Sequence, residues 1–143
     1  MRNMWDGRPE IKVAREFHFS MGHTLSDYDG KCANLHGHNY RLIVTLGGEV
    51  DDSRGMFVDF GEFKNMIDGV LADYDHHFLI FVGDPRAIPL MEIDKEVRTT
   101  TGNPTCEFLV NQLFWQIHEA IQDFSCTVQG VQLWETENCY AEI

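Results

Sequence analysis

Basic residues are scarce: 11 Lys and Arg stand against 23 Asp and Glu, a formal net charge of −12 at pH 7. A surface of that sign disfavours wrapping around nucleic acid, because phosphate binding needs a basic face. It does not exclude a small anionic substrate, provided that a local positive group such as a metal ion is present. Long apolar runs are also missing. No stretch approaches the roughly 18 residues of a membrane span, and Met1 to Pro9 lacks the apolar segment of a secretory leader, so a cytosolic protein is expected. Cysteine is sparse and dispersed (Cys32, Cys106, Cys126 and Cys139). In a cytosolic chain that spacing favours free thiols over a disulfide framework. There is no low-complexity tract and no internal repeat.

What remains is an ordinary globular composition, 43% hydrophobic with ten Phe. The 143 residues suit a single domain, 1–143, long enough to bury a core. Val13, Phe17, Phe19, Met21 and His23 share one parity, which predicts a strand over Ile11 to His23. Thr24 to Leu35 is polar and reads as a loop. Tyr40, Leu42, Val44 and Leu46 continue the parity of His36 and His38, a second strand whose buried face begins with two imidazoles. Asp59 with Glu62 three positions later reads as a helix start. Apolar residues at spacings of three and four then run from Phe60 to about Tyr74. Val82 to Thr101, with Pro85, Pro89 and a Thr run, reads as an extended excursion. Asn103-Pro104-Thr105 opens a second helix, and strands over Thr127 to Glu135 and around Tyr140 finish the chain. Two strands, two helices and two strands predict an α+β fold, an antiparallel sheet with its helices on one face.

Chemistry concentrates near the front. In a strand, residues two apart point the same way, so His36 and His38 aim at one spot, and His23 ends another buried face. Imidazole is a common zinc ligand, and three protein ligands plus an open position is the arrangement of catalytic zinc. A closed structural site of Cys32 and three histidines is the alternative. Beside such a metal, the Cys32 thiol is expected below the roughly 8.5 of a free thiol, fit to act as a base or nucleophile. Cys106, Cys126 and Cys139 read as inert buried thiols, and His18 and His118 as ordinary polar residues. Asp75-His76-His77 is either a helix terminus or a carboxylate orienting a histidine for proton transfer. Glu135, with the parity of Val131 and Leu133, is either a solvated strand end or an acceptor for adjacent ligand N–H groups. Glu107 is explained by its place in the first turn of a helix.

Taken together, FHFSMGH, CANLHGHNY, GMFVDF, DHHFL, NPTCE and LWET occur in the order found in the 6-pyruvoyltetrahydropterin synthase / 6-carboxytetrahydropterin synthase family, which the chain resembles from Phe17 to Glu137. The resemblance implies a tunnelling fold (T-fold): a four-stranded antiparallel sheet with two helices on one face. Three sheets would join into a barrel, and two trimers would stack as a homohexamer with sites at subunit interfaces. It further implies Zn²⁺ held by His23, His36 and His38, Cys32 as the base and Asp75 with His76 as a proton relay. Glu135 would anchor the pterin, and Thr105 and Glu107 match a pterin-pocket motif. The implied substrate is 7,8-dihydroneopterin triphosphate. The three-residue gap between Cys32 and His36 resembles the bacterial carboxy-forming branch, which feeds queuosine and other 7-deazapurine pathways. The pyruvoyl-forming synthase, a related side-chain lyase, a metal-dependent hydrolase and a zinc-stabilised pterin-binding module are the competing readings. Ile80 and Phe108 stand where the family usually carries Asn, and Met21-Gly22 replaces its usual small pair.

Overall fold

The computed structural model describes residues 10–143; the leader reading of Met1 to Pro9 lies outside them. The chain runs β1 (Lys12–His23), β2 (His36–Gly48), α1 (Phe60–Leu71), β3 (Phe78–Phe81), α2 (Ala87–Ile93), β4 (Val97–Thr100), α3 (Cys106–Ala120), β5 (Cys126–Trp134) and β6 (Tyr140–Glu142). Among the described residues, no helix is long and apolar enough to cross a membrane.

The alternation in β1 and β2 becomes burial. Phe17, Phe19 and Met21 are buried while Glu16 and His18 are exposed, and Tyr40, Leu42, Val44 and Leu46 are fully buried. The two strands pair antiparallel, with Phe19 opposite Tyr40, Met21 opposite His38 and His23 opposite His36. Helices α1 and α3 cover this face with Phe63, Ile67 and Leu71 from one and Leu109, Leu113 and Ile117 from the other. Each such side chain contributes about 1.5–3 kcal/mol by leaving water. Both helix starts are capped, the first at Asp59 as expected and the second at Thr105, which leaves Pro104 just ahead of the helix rather than in its first turn. Asp59 accepts from the Gly61 and Glu62 N–H groups, and Thr105 Oγ1 from the Phe108 N–H at 3.2 Å.

The sheet is larger than expected. Its order is β4-β3-β1-β2-β5-β6, six strands rather than four, and it is mixed: β3 runs parallel to β1, and β4 parallel to β3. The antiparallel strands β1, β2, β5 and β6 form one part of it. The expected excursion over Val82 to Thr101 is instead a third helix followed by a strand. Pro89 misled because it sits in the first turn of α2, where a missing N–H costs nothing. The β-branched run Val97–Thr100 forms a short strand. Glycine matters where β3 joins β1: a Cβ on Gly22 would stand 2.5 Å from the Phe78 ring. Helix α1 ends at Leu71, and turns carry the chain through Tyr74 to His77.

Candidate metal centre and active-site cavity

The β1–β2 register places His23 against His36, with His38 two residues further along the same face. Their ring centroids lie 4.5, 5.0 and 5.1 Å apart. One ring nitrogen from each falls within 4.8 Å of the other two. His23 Nδ1 is 2.8 Å from the Pro104 carbonyl oxygen and His36 Nδ1 is 2.7 Å from that of Asn34. A carbonyl only accepts, so each Nδ1 carries the hydrogen and leaves a bare lone pair on Nε2. The Nε2 atoms of all three histidines are buried without a hydrogen-bond partner. Three converging, unpartnered ring nitrogens, two of them acceptors by tautomer, fit a divalent cation, and the two carbonyls match the outer partners that orient metal-bound imidazoles. Burial lowers the pKa of His23, and neighbouring His36 and His38 lower it further against the opposing Pro104 carbonyl and Glu135 carboxylate. Burial also lowers that of His38, opposed by Glu135. The lowering favours the neutral form of His23 and His38, the form in which an imidazole can take a cation. Among the described residues, no thiol or carboxylate joins this group. That geometry disfavours the closed site of one cysteine and three histidines.

A cavity of about 340 Å³ opens beside His23, lined by Cys32, Thr105, Glu107 and Glu135 among others. Cys32 sits on a one-turn 3₁₀ segment, Lys31–Ala33, and its carbonyl accepts from the Leu25 N–H at 3.0 Å. Glu135 reaches in from the end of β5, with Oε1 3.7 Å from His38 Nε2. Glu107 lies in the first turn of α3, and the Thr105 hydroxyl is engaged as that helix's cap. Cys106 also lines the cavity, but its thiol donates to the Leu133 carbonyl at 3.1 Å and burial pushes its pKa up to about 11. It stays protonated at pH 7, as an inert thiol should. Cys126 is half-buried, and burial raises its pKa as well. Cys139 departs from the inert, buried reading: it is exposed in the turn between β5 and β6 and lines the cavity. Sequence reasoning also passed over Tyr28 and Tyr140, two exposed aromatic residues at the cavity edge. An aromatic residue in the otherwise polar loop Thr24 to Leu35 was the available signal.

Asp75 and His76 do not line that cavity. They follow α1 along the edge of β1, where Asp75 Oδ1 accepts from the Ser20 N–H at 3.0 Å and the His76 N–H donates to the Ser20 carbonyl at 2.7 Å. His76 Nδ1 lies 2.9 Å from Asp75 Oδ1, so the carboxylate fixes the ring. His76 adopts φ 61°, a left-handed conformation unusual for a residue with a Cβ. Its neighbourhood is a second cavity of about 450 Å³, lined also by Ser20, His38, Asn39 and His77. His23 borders the first cavity and His38 the second. The histidine cluster therefore borders both a cavity with thiols and carboxylates and one with imidazoles and the carboxylates of Asp94 and Glu96.

The model of the family described as 6-pyruvoyl tetrahydropterin synthase matches residues 12–143. A 6-carboxy-5,6,7,8-tetrahydropterin synthase of Rickettsia bellii is 34% identical, the alignment covering 93% of this chain and 99% of the relative. A protein of the same name from Haemophilus influenzae is 31% identical over 92% of this chain and 97% of its own. Among solved structures, the 6-pyruvoyl tetrahydropterin synthase of Caenorhabditis elegans superposes with a TM-score of 0.72 at 27% identity, covering 94% of this chain and 95% of that one. The match over β1 to β6, with the histidine cluster at its centre, makes this chain a member of the 6-pyruvoyl tetrahydropterin synthase family.

Proposed function

We propose that this protein is a 6-carboxy-5,6,7,8-tetrahydropterin synthase. It would convert 7,8-dihydroneopterin triphosphate and water to 6-carboxytetrahydropterin, acetaldehyde and triphosphate, as a single-domain lyase of the cytoplasm serving 7-deazapurine synthesis. The observation that carries the reading is a converging three-imidazole cluster whose His23 borders the cavity lined by Cys32, Glu107 and Glu135. The names of the relatives support the carboxy product.

His23, His36 and His38 would hold the cation, with zinc favoured by an all-imidazole donor set. A bound cation of this kind supplies Lewis acidity toward the side-chain hydroxyls of the substrate. The protein's own groups do the rest. Glu135 and Glu107 offer carboxylates to the N–H groups of the pterin ring, which fixes the side chain over the histidines. Cys32 takes a proton from that side chain. His76, oriented by Asp75, exchanges the partner proton, and the bend at φ 61° is the kind of strain that concentrates at functional positions. The separation of Asp75 and His76 from the Cys32 cavity supports a homo-oligomer in which a second copy supplies the dyad, as in the hexamer implied by the family resemblance.

The test is direct: incubate the zinc-loaded protein with 7,8-dihydroneopterin triphosphate and identify the products by mass. Acetaldehyde with a carboxylated pterin is expected. A pyruvoyl pterin would transfer the chain to the pyruvoyl-forming branch, and absence of any reaction would leave a pterin-binding module.

A further inference from the structure

The segment between β3 and β4 carries an ion pair with a buried carboxylate that grips the loop bearing Cys32. The Asp84 side chain is only 1% exposed, against 40% for Arg86. Asp84 Oδ1 accepts from the Arg86 backbone N–H at 2.9 Å and from Nε at 3.0 Å, and Oδ2 accepts from Nη2 at 2.7 Å. The guanidinium is thus locked in its fork geometry. Its remaining donors leave the segment altogether. Nη1 donates to the Ala33 carbonyl at 2.7 Å, and Nη2 to the Leu25 carbonyl at 3.3 Å. Those carbonyls lie on either side of Cys32, which itself bonds back through its carbonyl to the Leu25 N–H at 3.0 Å. The Thr24 hydroxyl donates to the same Ala33 oxygen at 2.9 Å, so the neck of the loop is closed at one point. A second tie comes from Asn103, whose side chain accepts from the Ser26 N–H at 2.7 Å and donates to the Ser26 carbonyl at 2.9 Å.

An ion pair inside a turn often does no more than shape the turn. Here the carboxylate is buried under a part-exposed guanidinium, and the spare donors of that guanidinium satisfy backbone acceptors far away in sequence, which shaping the turn does not require. We propose that Arg86, fixed by Asp84, is a positioning residue that holds the Cys32 turn at its working place in the cavity. The inference rests on the reading of Cys32 as the base. It also gives a role to the region read from sequence as a bare excursion: the turn ahead of α2 supplies the support for a loop that has no strand or helix of its own beyond the short 3₁₀ turn.

The double variant Asp84→Asn/Arg86→Gln removes both charges together and strands neither. It is measured in the zinc-loaded protein for kcat, KM, metal content and amide hydrogen exchange. The expected kcat loss is about 10²-fold with KM changed by less than about threefold and metal content unchanged, as for a misplaced catalytic group. The Leu25 amide should exchange at least about tenfold faster, while the Leu42 amide in β2 stays protected. Arg86→Lys keeps a cation beside Asp84 but loses the planar fork that reaches both carbonyls, so it should fold and recover part of the lost kcat. If the double variant fails to fold, Arg86→Lys carries the test through the same comparison with the parent. Unchanged kcat, unchanged Leu25 exchange, or equal loss of protection at Leu25 and Leu42 would overturn the proposal. Cys32→Ala separates the two readings: retained turnover there removes the base assignment, while Leu25 exchange still reports on the clamp.

Discussion

If His23, His36 and His38 hold zinc as proposed, its removal should lower the melting temperature by an amount that can be worked out beforehand. The three Nε2 atoms are buried and unpartnered, and two of the rings are already oriented through Nδ1. The site is thus preformed in the folded chain and dispersed in the unfolded one. A ligand that binds only the folded state at a free concentration of 100 times its Kd adds about 2.7 kcal/mol. For a domain of this length, that corresponds to a shift of about 10 °C. Calorimetry on chelator-treated and zinc-loaded protein at pH 7.5, with free zinc buffered at that level, makes the comparison. The pH dependence has a definite sign. Burial lowers the pKa of His23 and His38 in the metal-free fold, so the unfolded chain takes up protons first as pH falls through 6.5. Metal-free stability should therefore decline below pH 6.5, until the lowered folded values are passed, and owe nothing to these groups above it. A shift under about 2 °C at saturating zinc, or the same shift in His36→Ala, would refute the reasoning.

Three further outcomes follow from the packing and the site. Cys32→Ala should lose about 10²–10⁴-fold in kcat at undiminished zinc content, read by product formation and metal analysis. His76→Gly should unfold at equal or higher urea, since relief of the φ 61° backbone returns about 1 kcal/mol, yet lose about 10²-fold in turnover. Phe63→Ala, which empties a fully buried position packed edge-on to Phe17 at 5.9 Å, should cost about 3–5 kcal/mol in urea denaturation.

The parts of the molecule governed by periodicity were legible in the sequence. The parity that carried Phe17, Phe19 and Met21 into His23, and His36 and His38 into Tyr40, is the parity of the folded sheet. The cap at Asp59 likewise sits where the pattern put it, while α3 starts later than its Pro104 suggested, with Thr105 as cap. What escaped was set by tertiary contact. Phe78–Phe81 is too short to announce a strand and pairs in parallel with β1. Pro85 and Pro89 suggested irregular chain, yet Pro85 lies ahead of the α2 cap and Pro89 within its first turn, where a proline has the same letter as one that breaks a helix. Arg86 and Asp84 are two charged residues in a loop by composition. Only the burial of the carboxylate and the distant carbonyls reveal their work. Cys139 shows the reverse error, since a cysteine near a strand does not disclose which side of the turn it faces.

The opposition of His23 and His36 across the β1–β2 ladder has a consequence for how the chain reaches its native state. A slip of one residue between these strands would send His23 to one face and the β2 pair to the other. A slip of two would move them apart along the strand by about 6.6 Å. Either misalignment dismantles the chelate while leaving much of the hairpin's hydrogen bonding in place. Zinc captured during folding would then act as a proofreader of strand alignment, rewarding the single register in which all three rings meet.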